Sequence, residues 1–283
     1  MQPPRPALSH HAIFKRSESR GHAIAKASPT GRKAEIAMRR TTDGPPNDPD
    51  SGAAPPGRAW GPLPPAVRGL ALRCGADPPR GAARVLLRQT GTMRADAAAP
   101  WAAFTARQVY ELEQCGFEWR ARTGPLGAVT VTDALDDAGP RLTVRALGLI
   151  PLVRARPDAA LIKGELLRYL AELPLAPDAI VANRGLAWED LGGGVLRVSA
   201  AFGDVQAGLT LTLGEDGLVA SAFAPDRPRL VGGATVETPW HCTMGDYRAR
   251  DGRLVPFETQ AAWALDGGIV PVWRGRLTDW RLA

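Results

Sequence analysis

Apolar and polar positions change rhythm twice along the chain. From Leu63 to Cys74 the run LPPAVRGLALRC opens on two prolines and reads as a short helix, with Val67, Leu70 and Leu72 available to pack. Period-two alternation then takes over, the signature of half-buried strands. Val85, Leu87, Gln89, Gly91 and Met93 share one face of a first strand, and Phe117, Trp119 and Ala121 share a face of another. Val129, Val131 and Asp133, then Leu142, Val144 and Ala146, form two more strands joined across Asp137-Ala138-Gly139. Leu209, Leu211 and Leu213 run into Asp216-Gly217, and Val219, Ser221 and Phe223 come out of it. An Asp-Gly turn between alternating runs is a strong hairpin signal. Asp251-Gly252 and Asp266-Gly267-Gly268 repeat it between strands around Tyr247, Phe257 to Trp263 and Val272 to Trp280.

The second change of rhythm is helical. Pro157-Asp158 opens it, Leu161, Ile162, Leu166, Leu167 and Leu170 give an apolar stripe, and Pro174 closes it. A shorter helix follows Pro177-Asp178. The pattern therefore predicts a mainly β fold of about ten strands, a strongly curved antiparallel sheet or half-barrel. A helix pair inserted at about 157–182 packs in or across it, and the whole forms one domain over 59–283.

Charge changes the picture only at the start. The chain of 283 residues carries a formal net charge of +6 and a pI near 9.7, which usually points to nucleic acid or an anionic membrane. Residues 1–58, however, hold ten basic and five acidic side chains, so the body is nearly neutral and no specific nucleic-acid partner is expected. That leader has no sustained apolar periodicity and ends in a Pro- and Gly-rich run, the composition of a disordered tail or of an over-extended start with Met38 as initiator. It contains neither a signal-peptide core nor a span of the roughly 18–20 apolar residues a membrane helix needs, which implies a cytoplasmic location.

Three cysteines without a CxxC pair and one histidine in the body, His241, argue against a disulfide framework and a zinc site, and no cofactor is expected. His241 and Cys242 are neighbours on a strand and point to opposite faces, so they do not form a nucleophile–base pair. Gly192-Gly193-Gly194 lacks the Lys-Ser/Thr of a phosphate loop. Asp133, Asp136 and Asp137 fall where carboxylates commonly form turns, beside a weaker reading as cation ligands.

The best candidate site is the second face of the long helix, Glu165, Arg168, Tyr169 and Glu172, spaced to line one side. An arginine between two carboxylates suits the polar end of a ligand, acid/base work by Glu165 or Glu172, or a structural clamp between helix and sheet. Tryptophans and a tyrosine on the strands, Trp119, Trp188, Trp240, Tyr247 and Trp263, suit either an apolar ligand cavity or plain core.

The order LPPAVR, RQTGTMR, GFEW, LGLIPL, GELLRYLAELPLAPDAI and TPWHCTMGDY, ending in PVWRGRL, resembles an uncharacterised bacterial domain family of unknown function over residues 63–281. Members of that family typically begin with a hydrophobic membrane segment, so the resemblance leaves membrane association open. The predicted architecture also looks like the half-barrel of the lipoprotein carriers LolA and LolB, which hold acyl chains in an apolar concavity. These readings favour a non-catalytic module binding a lipid or other apolar or amphipathic ligand. An enzyme using Glu165 or Glu172, and a structural or interaction domain, stand as the alternatives. Oligomeric state has no signature in the sequence.

Overall fold

The computed structural model describes residues 62–77 and 83–283, and the expected leader over 1–58 lies outside them. Thirteen strands form one antiparallel sheet curled into a half-barrel. In chain order they are β1 (Arg84–Met93), β2 (Ala102–Glu111), β3 (Phe117–Thr123), β4 (Val129–Asp136), β5 (Gly139–Ala146) and β6 (Ile150–Arg154). After the helical insertion come β7 (Ala187–Gly192), β8 (Val195–Phe202), β9 (Val205–Leu213), β10 (Val219–Val231), β11 (Ala234–Arg250), β12 (Arg253–Leu265) and β13 (Gly268–Leu282). The strand order is 6-5-4-3-2-1-13-12-11-10-9-8-7, so the first and last strands pair at the centre and two meanders spread outward from them.

The Asp-Gly turns lie where the sequence puts them. Asp251 and Gly252 both take positive φ, 47° and 75°, and join β11 to β12 as a tight hairpin that matches the twist of its strands. Register shifts at Arg88/Gln89, Ala224/Arg227 and Ala261/Ala262 add local bends. Such bulges increase twist and help the long strands curl.

The trough is filled from its lower end, the end bearing the Asp251-Gly252 hairpin. Helix α1 (Pro65–Arg73), the 3-10 turn Leu173–Leu175 and α3 (Ala179–Ala182) close it. Trp280 donates its indole N–H to the Leu175 carbonyl at 2.7 Å, and the fully buried Asp178 accepts from Asp77 N at 2.8 Å and from Arg253 at 3.0 Å. In α1, Ala71 turns inward with Val67 and Leu70, while Leu72 stays 39% exposed, a correction to the expected packing trio. The apolar face is set by the i, i+3, i+4 spacing of Val67, Leu70 and Ala71, which Leu72 falls outside.

Helix α2 (Ala159–Ala171) runs down the trough and touches β8, β9 and β10 on one arm and β4 and β5 on the other. Asp158 caps it, accepting from Leu161 N at 2.9 Å, and Pro174 prevents its continuation. Leu166, Leu167 and Leu170 are fully buried, each contributing about 1.5–3 kcal/mol by leaving water. Glu165 and Tyr169 are buried as well, so α2 is covered on every side from Gly164 onward and its polar face there needs partners within the protein.

Candidate functional site

Those partners come from the sheet. Arg168 donates through Nη1 to Asp133 Oδ2 of β4 at 2.5 Å and through Nε to Glu172 Oε1 at 2.9 Å. Its guanidinium lies 4.8 Å from the centroid of Phe117 and 5.1 Å from that of Trp119, a cation–π geometry on two rings of β3. Gln108 of β2 donates its amide to the other oxygen of Glu172. Burial works against the charge on Arg168, but Glu172, Asp133 and Glu165 outweigh it and hold the group firmly protonated.

Glu165 sits on the other side of this cluster and is 3% exposed. Burial, reinforced by the neighbouring Asp133 carboxylate, pushes its pKa well above the usual range, against the pull of Arg227 and Arg168. Glu165 Oε2 and Asp133 Oδ1 are both buried without a hydrogen-bond partner among the described residues. Arg227 of β10 completes the group, its guanidinium 4.2 Å from the centroid of Trp240. Burial lowers its pKa while Glu165 and Asp133 oppose the change. Three carboxyl groups, of Glu165, Asp133 and Glu172, thus surround the two guanidinium groups of Arg168 and Arg227.

Of the residues singled out from the sequence, Glu165, Arg168, Glu172 and Trp119 therefore meet, and Trp240 joins through Arg227. Tyr169 does not. Its ring stacks on Tyr110 at 4.4 Å, and its hydroxyl donates to the Glu111 carbonyl at 3.1 Å and accepts from Asn183 at 3.0 Å. Trp188 lies half-buried on the terminal strand β7, and Tyr247 bonds the Val219 carbonyl at 2.8 Å near the lower end. Asp133 enters the cluster as a partner of arginine. Among the described residues no group of His, Cys, Asp or Glu side chains is arranged to hold a metal ion.

The residues that sequence reasoning left out of the site are Asp133, Gln108, Gln89 and Arg227. Three of them share a visible signal: a polar residue in phase with the apolar, inward positions of a strand. Gln89 accepts from the Trp119 indole at 3.0 Å. Trp240 and Cys242 face inward on β11 and His241 lies between them, so no thiol–imidazole pair forms. Burial raises the Cys74 and Cys115 thiols to about 12 and about 11, away from nucleophilic reactivity.

Above the cluster the inner face is less covered. Val85 and Leu87 on β1, Leu135 on β4 and Val255 and Phe257 on β12 are buried, whereas Met93, Val131, Val144, Trp263 and Trp273, further up these strands or their neighbours, are only half-buried. Trp273 lies over its own neighbour Gly275, where an added Cβ would come within 2.0 Å of the ring, and stacks on Phe104 at 5.6 Å. Gly275 pairs directly with Gly91 of β1. The glycine pair leaves the sheet bare so that two aromatic rings can lie on it as an apolar floor.

A family model for a family of unknown function, DUF6544, matches residues 57–275. The chain belongs to the DUF6544 family. Comparison with curated protein sequences gives no match. Among solved structures, the DUF6544 chain is similar to a LolA superfamily protein from Nitrosomonas europaea, at 11% identity and a TM-score of 0.44, over 77% of this chain and 93% of that one. It is also similar to a DUF1329 family protein from Desulfovibrio piger, at 9% identity and a TM-score of 0.42, over 77% and 92%. No helix among the described residues of this DUF6544 member is long and apolar enough to cross a membrane.

Proposed function

We propose that this DUF6544 protein is a non-catalytic binding protein that takes an apolar or amphipathic molecule, such as a lipid, into the upper half of its trough. The observation that carries the reading is the incomplete burial of inward-facing Met93, Val131, Val144, Trp263 and Trp273 beside the fully packed lower half. Inward apolar side chains drawn from both arms of a sheet, with an aromatic floor on a glycine pair, match the lining of small-molecule sites, which are concave and mostly apolar. Arg229, whose guanidinium is 5.4 Å from the centroid of Trp263, supplies a charge beside this lining for a polar end group.

Acid/base chemistry by Glu165 or Glu172 is less well supported. Each is enclosed by side chains of the protein itself, and Glu172 already accepts from Arg168 and Gln108. The cluster serves this reading as the packed base under the site. Native mass spectrometry of the full chain, purified without detergent and compared before and after organic extraction, tests the proposal. It predicts an extractable apolar molecule bound in a one-to-one ratio, and a protein that carries none and takes up none when offered a fatty acid would overturn it.

A further inference from the structure

We infer that the upper corner formed by the β3–β4 turn and the β5–β6 hairpin is a docking surface for an anionic lipid bilayer, a role that stands independently of what the trough holds. The three most exposed large apolar residues among the described residues gather there, Leu126 at 106%, Leu149 at 83% and Leu147 at 70%, with Ile150 and Leu152 beside them. The two loops are tied together, Leu147 N donating to the Ala128 carbonyl at 2.6 Å, so the leucines form one patch. Leu126 and Leu147 both take left-handed backbone conformations, with φ of 54° and 52°, which a bulky side chain rarely adopts. Folding alone gives no reason to place leucines in strained positions facing water, whereas a role as apolar tips entering a membrane interface accounts for them.

The surroundings choose the partner. The outer face of the sheet beside the patch carries a groove of about 590 Å³ that reaches Gly148 of the hairpin. Arg88, Arg107, Arg120 and Arg122 line it together with threonines, and no carboxylate does. Arg88 stands directly opposite Arg107, and Arg107 opposite Arg120, on adjacent strands. Like charges placed face to face destabilise a sheet, so the row is explained by an anion that neutralises it. Arg120 has Glu118 at 2.7 Å and Arg88 has Asp279 at 3.9 Å, but among the described residues Arg107 and Arg122 have no carboxylate partner. Arg122 adjoins the turn that bears Leu126, since a Cβ on Gly127 would lie 3.5 Å from that of Arg122.

Protruding leucines flanked by unpaired arginines combine the two terms of interfacial binding, apolar insertion and attraction to anionic headgroups. A second copy of the chain would bring its own arginines against these. A nucleic acid would fit the arginines but leave the leucines in water, and no aromatic side chain is exposed at the patch to stack on bases.

Flotation of the full chain with phosphatidylcholine vesicles, with and without phosphatidylglycerol, tests the inference. Wild type should float with the phosphatidylglycerol vesicles and far less with pure phosphatidylcholine. Leu126→Asp combined with Leu149→Asp should abolish flotation, and Arg107→Glu combined with Arg122→Glu should lower the partition coefficient by roughly 25-fold or more, at about fivefold per surface arginine. All variants keep residues 1–58, so binding by the basic leader is common to every arm, and circular dichroism confirms that these exposed substitutions leave the fold intact. Absence of wild-type flotation, or equal flotation of the variants, overturns the inference. So does a change in sedimentation coefficient of the leucine variant without a change in vesicle binding, which would assign the patch to self-association.

Discussion

Glu165 is the residue whose environment departs furthest from its chemistry, a carboxyl group enclosed by protein and set beside Asp133. Because its folded pKa is raised above the unfolded value, the folded state binds the proton more tightly than the unfolded chain does. Its contribution to stability is therefore complete below the unfolded pKa of about 4.5 and is lost as pH rises through the folded pKa. Glu165→Gln mimics the protonated form and removes the titrating group. The variant should match wild type near pH 4.5 and become progressively more stable than wild type as pH rises above it, read as melting temperature against pH. A gap that does not change with pH would show that Glu165 is ionised in the folded protein. Helical spacing put Glu165, Arg168 and Glu172 together in the sequence, because i, i+3 and i+7 positions must share a side. It placed Tyr169 with them as well, although residues 168 and 169 diverge by about 100° around the axis and meet different walls of the trough. Asp133 showed its inward phase on the strand but not its partner, and Arg227 was beyond reach, since both partnerships are fixed by strand pairing and by how far the sheet curls.

At the scale of elements, the cluster joins α2 to the strands around it. Arg168 links α2 to β4 through Asp133 and to its own last turn through Glu172. A buried ion pair of this kind adds little net stability over an apolar substitute, but breaking it strands a carboxylate without compensation. Arg168→Ala should therefore cost about 3–5 kcal/mol, measured by urea unfolding. Adding Asp133→Asn should recover part of that loss, because the stranded charge is then removed; a double variant no better than the single one would contradict the clamp. The elements that were legible in the sequence carried local signatures: Asp-Gly turns for the hairpins, the Asp158 cap and Pro174 for α2. β2, β6, β7 and β8 were not singled out. β6 and β7 are edge strands exposed on both faces, with no alternation to read, and β2 alternates through alanine and a buried glutamine. Curl itself leaves no local mark, because it arises from bulges whose positions depend on pairing.

For the whole molecule, the uneven filling of the trough organises the account. The lower half is sealed by α1, the 3-10 turn and α3, the middle by the buried ion cluster, and the upper half ends in side chains that point inward and remain half-exposed. The apolar corner with its arginines stands at that same upper end, so a molecule leaving a bilayer would meet the open part of the trough first. The reading from sequence, a neutral body with an apolar concavity, anticipated the half-barrel but not the division between its closed and open ends. That division is most directly tested by filling the open end. Val131→Trp combined with Val144→Phe adds bulk there, and binding of a fluorescent fatty acid such as cis-parinaric acid can be titrated in both proteins, with circular dichroism confirming an unchanged fold. Wild type should bind one equivalent saturably, and the filled variant at least about tenfold more weakly, about 1.4 kcal/mol. Equal binding by a folded variant, or no saturable binding by wild type, would contradict the account.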